Sequence, residues 1–320
     1  MEASTLHRWP NPGRLGNGLE GVELSDANLD VFGDFTESKE YPRKIIVDCT
    51  DSELVASKYP EWLQRGFHII TPNRQILTAP SEQYEECFKY VGRAGGVFGG
   101  AQFRYDATVG GQIPIITLLQ DLLQTGDRID SLTGVLSGTM SLTFNQLNEN
   151  PEIPFSKAFQ LARERELAKI HSKDDLSGLD TAKKSLILAR ELGLQLELQD
   201  VKVESLLPQD DCEEDDFTTL LKEKVDGPMA ERFKAAQEKG ELLFYVGAVD
   251  LKTKSVSVGI QAFPAKNPPF ALQDADFAVL LVSQRFPAET PLVFRGPGAG
   301  PNLAASGLFA SLLRVCRSLL

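Results

Sequence analysis

Apolar positions along this chain recur in two rhythms, one before residue 105 and another after it. A short β-branched run at 44–48 and a second apolar run at 67–70 bracket a helix-spaced stretch at 52–64 that Gly66 closes. Strand, helix, strand within about 30 residues is a βαβ unit and predicts parallel pairing. Further on, 113–123 has helical spacing and ends at Gly126, and 129–135 alternates as a strand. Helices are predicted over 155–167 and 181–192, the second closed by Gly193. Four strand-like runs then follow closely, at 242–249, 255–263, 278–286 and 292–295, before a helix over 302–319. The turn at 250–254 predicts an antiparallel hairpin. Residues 1–43 follow neither rhythm; Pro10, Pro12, Gly13, Gly16, Gly18 and Gly21 predict irregular chain with at most one short strand at 21–24.

Charge narrows the partners. A net charge of −12 argues against wrapping nucleic acid or an anionic membrane, since like charges repel. Much of the excess lies in Asp210, Asp211, Glu213, Glu214, Asp215 and Asp216, a block that reads as a solvated loop. Cys49, Cys87, Cys212 and Cys316 show no metal-ligand spacing, so reduced thiols are expected. No apolar run reaches the ~18 residues a membrane span needs, and no basic, apolar leader opens the chain. A cytoplasmic protein is the expectation.

Three glycine-rich segments are candidates for phosphate binding. Gly16 to Gly21 matches G-x-G-x-x-G, but Trp9-Pro10-Asn11-Pro12 precedes it where a strand should deliver the loop. Gly296-Pro297-Gly298-Ala299-Gly300 does join a strand to a helix, and spacing alone favours a phosphate cradle and a bare turn equally. Ala107 to Gly111, with Asp106 ahead of it, is a third turn before an apolar helix. Among titratable groups, Asp180 and Lys184 are four apart and share one helix face. A lysine beside a carboxylate can relay the proton that leaves an alcohol with a departing hydride. Spacing alone favours the plainer reading, an exposed ion pair worth a few tenths of a kcal/mol.

Taken in order, these runs resemble homoserine dehydrogenase. The resemblance is carried by 45–50, 70–73, Asp106-Ala107-Thr108-Val109-Gly110-Gly111, 134–141, 174–184 and Arg295–Gly300, from about residue 40 to the end. Its ending looks most like the dehydrogenase half of bifunctional aspartate kinase–homoserine dehydrogenases. It implies an α/β fold: an incomplete Rossmann-like parallel unit plus an α+β central domain with a mainly antiparallel sheet. The implied division is a lead segment (1–40), a remnant dinucleotide-binding unit (41–105), a substrate and dimerisation domain (106–290) and a returning strand–loop–helix (291–320). It also implies a homodimer that interconverts aspartate semialdehyde and homoserine with NADP or NAD.

By position, the resemblance makes Asp180 and Lys184 the substrate-polarising pair and places Asp175, Gly138 and Thr139 against substrate. Asp48, Cys49, Thr50 and Asn73 fall beside the nicotinamide, Gly298 and Gly300 in the returning cofactor loop. Asp106, Val109 and Gly111 fall where the family holds a monovalent cation, Na+ for instance. The departures define a rival reading. The family's pyrophosphate loop would precede Met1, which predicts dinucleotide binding weaker than ~1 mM. Arg74 replaces a lysine with a permanently charged group. Lys169 replaces the glutamate that pairs with the substrate ammonium. The rival is a non-catalytic or repurposed homologue that dimerises and binds a small anionic ligand in the same cleft.

Overall fold

The computed structural model describes residues 28–38, 41, 43–92, 100–165, 172–207, 217–266, 270 and 272–319. Gly16 to Gly21, the 21–24 strand, Lys169 and the acidic block at 210–216 lie outside the described residues.

The first sheet is parallel throughout, with strands β1 (Ile45–Val47), β2 (His68–Ile70) and β3 (Phe103–Arg104) in that order. Ile46 faces Ile69 across the first pair, and Ile69 faces Phe103 across the second. The crossover from β1 to β2 is two short helices rather than the one predicted over 52–64. These are α2 (Glu53–Ala56), capped by the Ser52 side chain, and α3 (Tyr59–Gln64), restarted with Pro60 in its first turn. A proline is tolerated there because its missing N–H has no helical partner anyway. Tyr59, Trp62, Leu63, Phe67 and Ile69 fill the core beneath the sheet. The helices α4 (Gln75–Thr78) and α5 (Ser81–Phe88) follow β2 and were not predicted.

The expectation of irregular chain up to residue 43 is corrected by helix α1 (Leu29–Glu37). Asn28 accepts hydrogen bonds from the Asp30 and Val31 amides, which caps the helix. Asp30 then pairs with Lys58, Asp34 and Glu37 with Arg65, and Phe32 meets Trp62 edge-on at 5.8 Å. Tertiary partners, not local rhythm, make this helix.

The second sheet has six strands in the order β5-β7-β6-β4-β8-β9. These are β4 (Ile129–Val135), β5 (Lys202–Val203), β6 (Glu241–Asp250), β7 (Ser255–Pro264), β8 (Asp276–Ser283) and β9 (Leu292–Pro297). Every pairing is antiparallel except β5 with β7. The hairpin predicted at 250–254 is present, with Asp250 opposite Ser255. β8 stops at Ser283, short of the predicted 286, because the Ser283 amide donates to the Phe286 carbonyl and closes a turn. Helix α6 (Ile115–Gln124) precedes this sheet; Pro114 delays its start by two residues from the predicted one.

One face of the sheet is covered by α7 (Gly138–Glu149), α10 (Leu179–Glu191) and α12 (Asp226–Glu238). Neither α7 nor α12 was predicted. Helix α8 (Phe155–Arg165) packs on α7, and α9 (Ser172–Ser177) leads into α10. On the other face, Phe244, Phe263 and Phe270 pack together over Val135, Val246 and Ala278. Thr133, Ala248, Leu280 and Val282 on that face remain half-buried, and Val293 is exposed. Helix α13 (Pro301–Ser318) leaves β9 and returns against β2. No helix among the described residues is long and apolar enough to cross a membrane.

Candidate functional site

Helix α10 lies between the second sheet and α4, the helix that follows β2. Its first turn carries Asp180 and its second Lys184, and both are buried (7% and 9% exposed). The exposed ion pair favoured by spacing alone is therefore corrected: this pair is walled in by the helix-facing side of the sheet. Lys184 Nζ donates to Asp180 Oδ2 at 2.7 Å and to the Leu136 carbonyl at 2.7 Å. Arg74, at the start of α4 just beyond β2, donates to Asp180 Oδ1 at 2.8 Å. One carboxylate thus joins a cation from each half of the fold.

What places α10 so exactly against the sheet is its entry. Gly178 has φ +80°, and a Cβ there would lie 2.2 Å from the Tyr245 hydroxyl oxygen, so no side chain fits. Tyr245 is held in turn by the Glu204 carbonyl. At the far end of α10, Arg190 donates to the carbonyls of Leu77, Ala79 and Leu196 and to Glu197, and lies 4.8 Å over the Tyr84 ring. Leu77 and Ala79 belong to α4 and the residue after it, so α10 is tied to the chain following β2 at both ends. A cavity of about 320 Å³ lined by Tyr84, Phe88, Arg190 and Leu194 lies at this far end, not at the Asp180–Lys184 pair.

Asp175 is buried in the first turn of α9, where the Ser137 hydroxyl donates to it at 2.8 Å. Ser137 also accepts from the Met140 amide as the cap of α7, so one hydroxyl aligns Asp175 with the turn of Gly138 and Thr139. That turn is buried as well. Sequence alone assigns no role to Ser137 or to the Leu136 carbonyl. A serine ahead of a helix is a readable cap signal, whereas an accepting carbonyl has no side-chain signature.

At the end of β1, the Asp48 carboxylate accepts from the Thr50 amide, the Tyr59 hydroxyl and Asn73 Nδ2. Asn73 also donates to the Ser52 carbonyl at 3.0 Å and accepts from the Gln75 amide. Asp48 and Asn73 therefore brace the two strand ends against each other. Cys49 is exposed between them, and Thr50 accepts from the Ser52 amide. Partial burial, with Asp48 beside it, pushes the Cys49 thiol above its ordinary pKa. These strand ends offer an exposed rim at the carboxyl edge of a parallel sheet, where dinucleotides bind in such folds.

Gly298 and Gly300 lie between β9 and α13. A Cβ on Gly298 would come 2.3 Å from Phe277 Cβ, so close packing already accounts for this glycine. Gly300 has φ +112° and starts α13 without a side-chain cap. Asp106 is buried at a short 3₁₀ turn, Asp106–Thr108, with Val109 and Gly111 after it. The Thr117 amide and hydroxyl both donate to Asp106 Oδ1, and Arg314 Nη1 is 3.7 Å from the same oxygen. That oxygen already has donors and a cation, so these residues do not fit the monovalent ion that the resemblance implies. Among the described residues no group of three or more His, Cys, Asp or Glu converges as a metal site.

Known proteins match this architecture along nearly its whole length. The family model described as homoserine dehydrogenase matches residues 114–313, and that described as homoserine dehydrogenase, NAD binding domain, matches 21–97. The bifunctional aspartokinase/homoserine dehydrogenase 1, chloroplastic, of Zea mays is 38% identical over 297 residues, covering 92% of this chain and 31% of that protein. This chain thus spans about a third of the length of such relatives. A protein of unknown function from Candida auris has a solved structure that superposes with a TM-score of 0.83 at 31% identity, covering 91% of this chain and 81% of that one. A hyperthermophilic archaeal homoserine dehydrogenase solved with NADPH shares the fold at a TM-score of 0.65 and 17% identity, covering 93% of this chain and 78% of that one. With both family models matched, and a relative 38% identical over 92% of its length, the chain belongs to the homoserine dehydrogenase family.

Proposed function

We propose that this chain performs homoserine dehydrogenase chemistry, the NADPH- or NADH-dependent interconversion of aspartate semialdehyde and homoserine. The observation that carries the reading is the buried Asp180–Lys184 pair, with Lys184 also held by the Leu136 carbonyl. A bound dihydronicotinamide would supply the hydride to the aldehyde carbon. Lys184 gives a proton to the carbonyl oxygen as that hydride arrives, and takes it back in the oxidation direction. Asp180 keeps the lysine aimed, and Arg74 holds the other oxygen of the same carboxylate. Gly138, Thr139 and Asp175 hold the rest of the substrate. Cys49, Thr50 and the Gly298–Gly300 loop border the nicotinamide, with Asp48 and Asn73 bracing the strand ends.

Aspartate semialdehyde and NADPH are added to the folded chain and loss of dihydronicotinamide absorbance is followed. Turnover that falls about 10²–10⁴-fold in Lys184→Met supports the reading; a folded chain without turnover, or a variant of undiminished rate, refutes it. We also propose that the half-buried strip of Thr133, Ala248, Leu280 and Val282 pairs two copies about a two-fold axis, the commonest symmetry among soluble homo-oligomers. Light scattering should then report twice the 35.2 kDa of one chain.

A second reading is supported by the charge at Asp180, where two cations, Arg74 and Lys184, meet one carboxylate. Such a grouping of charges suits a small dicarboxylate. A thermal-shift screen in which such anions stabilise the chain and homoserine does not would favour this reading over the first.

A further inference from the structure

The cluster around Asp106 is built from three distant parts of the chain. Asp106 belongs to the 3₁₀ turn, Thr117 to α6 and Arg314 to α13. The Thr117 hydroxyl donates to Asp106 Oδ1 and accepts from Arg314 Nη1 at 3.3 Å, so charge and hydrogen bonds run in one direction through it. Asp106 is only 5% exposed, and Arg314 is half-buried. Helix α13 is locked in this register one face at a time. Gly307 sits against the Gly111 carbonyl, 2.5 Å from where a Cβ would be, and Ser311, one turn on, is buried. Arg314 follows on the same stripe, seven residues after Gly307. The Gly111 carbonyl thus faces helix backbone, and the Asp106 carboxylate faces a guanidinium.

We propose that Arg314 is a built-in cation for the Asp106–Val109–Gly111 turn, taking the place that a monovalent metal ion would otherwise hold. A carboxylate of this burial requires a compensating positive charge. A guanidinium supplies that charge at every accessible pH and does not dissociate. The turn, and the Gly298 loop that packs on Gly111, are therefore indifferent to which alkali ion is present. Removing the guanidinium should leave an anionic pocket that recruits an ion from solution. No part of this depends on the chain's turnover.

The test is thermal melting of the full chain at constant ionic strength in the chlorides of sodium, potassium and N-methylglucamine. The unmodified chain should melt at one temperature in all three. Arg314→Met should melt lower in N-methylglucamine and recover by several degrees, saturably, with sodium or potassium, as a ligand of the folded state requires. Arg314→Lys keeps a charge and should remain indifferent. Adding Asp106→Asn to Arg314→Met should abolish the ion response. Saturable stabilisation of the unmodified chain by either metal ion overturns the proposal, as does a folded Arg314→Met without any ion response. If Arg314→Met does not fold in any salt, Arg314→Lys decides: folding restored by the lysine supports the charge role, and failure there overturns it.

Discussion

Replacing Asp180 by asparagine removes one negative charge and almost no volume, so the effect isolates electrostatics. Asp180 lies 2.8 Å from Arg74 and 2.7 Å from Lys184. At an effective dielectric of 20 each contact is worth about 6 kcal/mol of gross attraction, most of it offset by the desolvation of the ions. The net loss expected is about 3–5 kcal/mol, because the variant strands a buried ammonium next to a guanidinium. For a chain of this size that corresponds to roughly 4–8 °C in Tm. Thermal melts of four proteins decide it: the unmodified chain, Asp180→Asn, Lys184→Met and the double variant. The double variant should be less destabilised than the sum of the singles, since removing Lys184 removes the stranded charge. A single-variant loss below about 1 kcal/mol, with additive effects, would be the behaviour of a solvated pair and would refute the placement of Asp180 and Lys184.

Arg190→Met should cost about 3–5 kcal/mol in a urea titration, because the carbonyls of Leu77, Ala79 and Leu196 lose their donors together; Arg190→Lys, lacking the fork, should recover only part. His68 is buried and accepts from the Gln102 amide through Nδ1; burial, and secondarily Arg43, holds its pKa below 6.5. Its contribution is thus present above pH 6.5 and lost as pH falls from there through the folded value, so the urea midpoint should drop in that window, and a His68→Gln variant should flatten the drop. Gly178→Ala should destabilise by about 2 kcal/mol or more from left-handed strain and the clash with Tyr245, and Tyr245→Phe should relieve only the clash, as double-variant melts would read.

The elements that local rhythm predicted are those whose burial repeats with a regular period. β4 alternates because one of its faces meets helices, and α10 shows a helical stripe because it lies on a sheet. Gly126 and Gly193 end helices with φ of +80° and +87°, as their sequence positions suggest. Helix α1 was illegible because its short apolar stripe depends on Trp62 and its charges on Lys58 and Arg65, all more than twenty residues away. Helix α7 was hidden by its Gly138, Thr139, Ser141 and Thr143, poor helix formers whose burial hides their polarity. In the site, Asp180 and Lys184 were visible as a spacing, but their burial was not, because that depends on where β4 ends. Arg190 had no readable role, since most of its hydrogen bonds go to carbonyls.

The double attachment of α10 has a mechanical consequence. A hinge that opened the space between the end of β2 and α10 would have to break the Arg74–Asp180 pair and strip Arg190 from its carbonyls in the same motion. Two bolts at opposite ends of one helix also forbid rotation about either one. The chain from Asn73 to Ala79 and the helix bearing Lys184 must then travel as a single rigid plate. The interval between the end of β2 and Lys184 is set by these two attachments and stays fixed for as long as both hold.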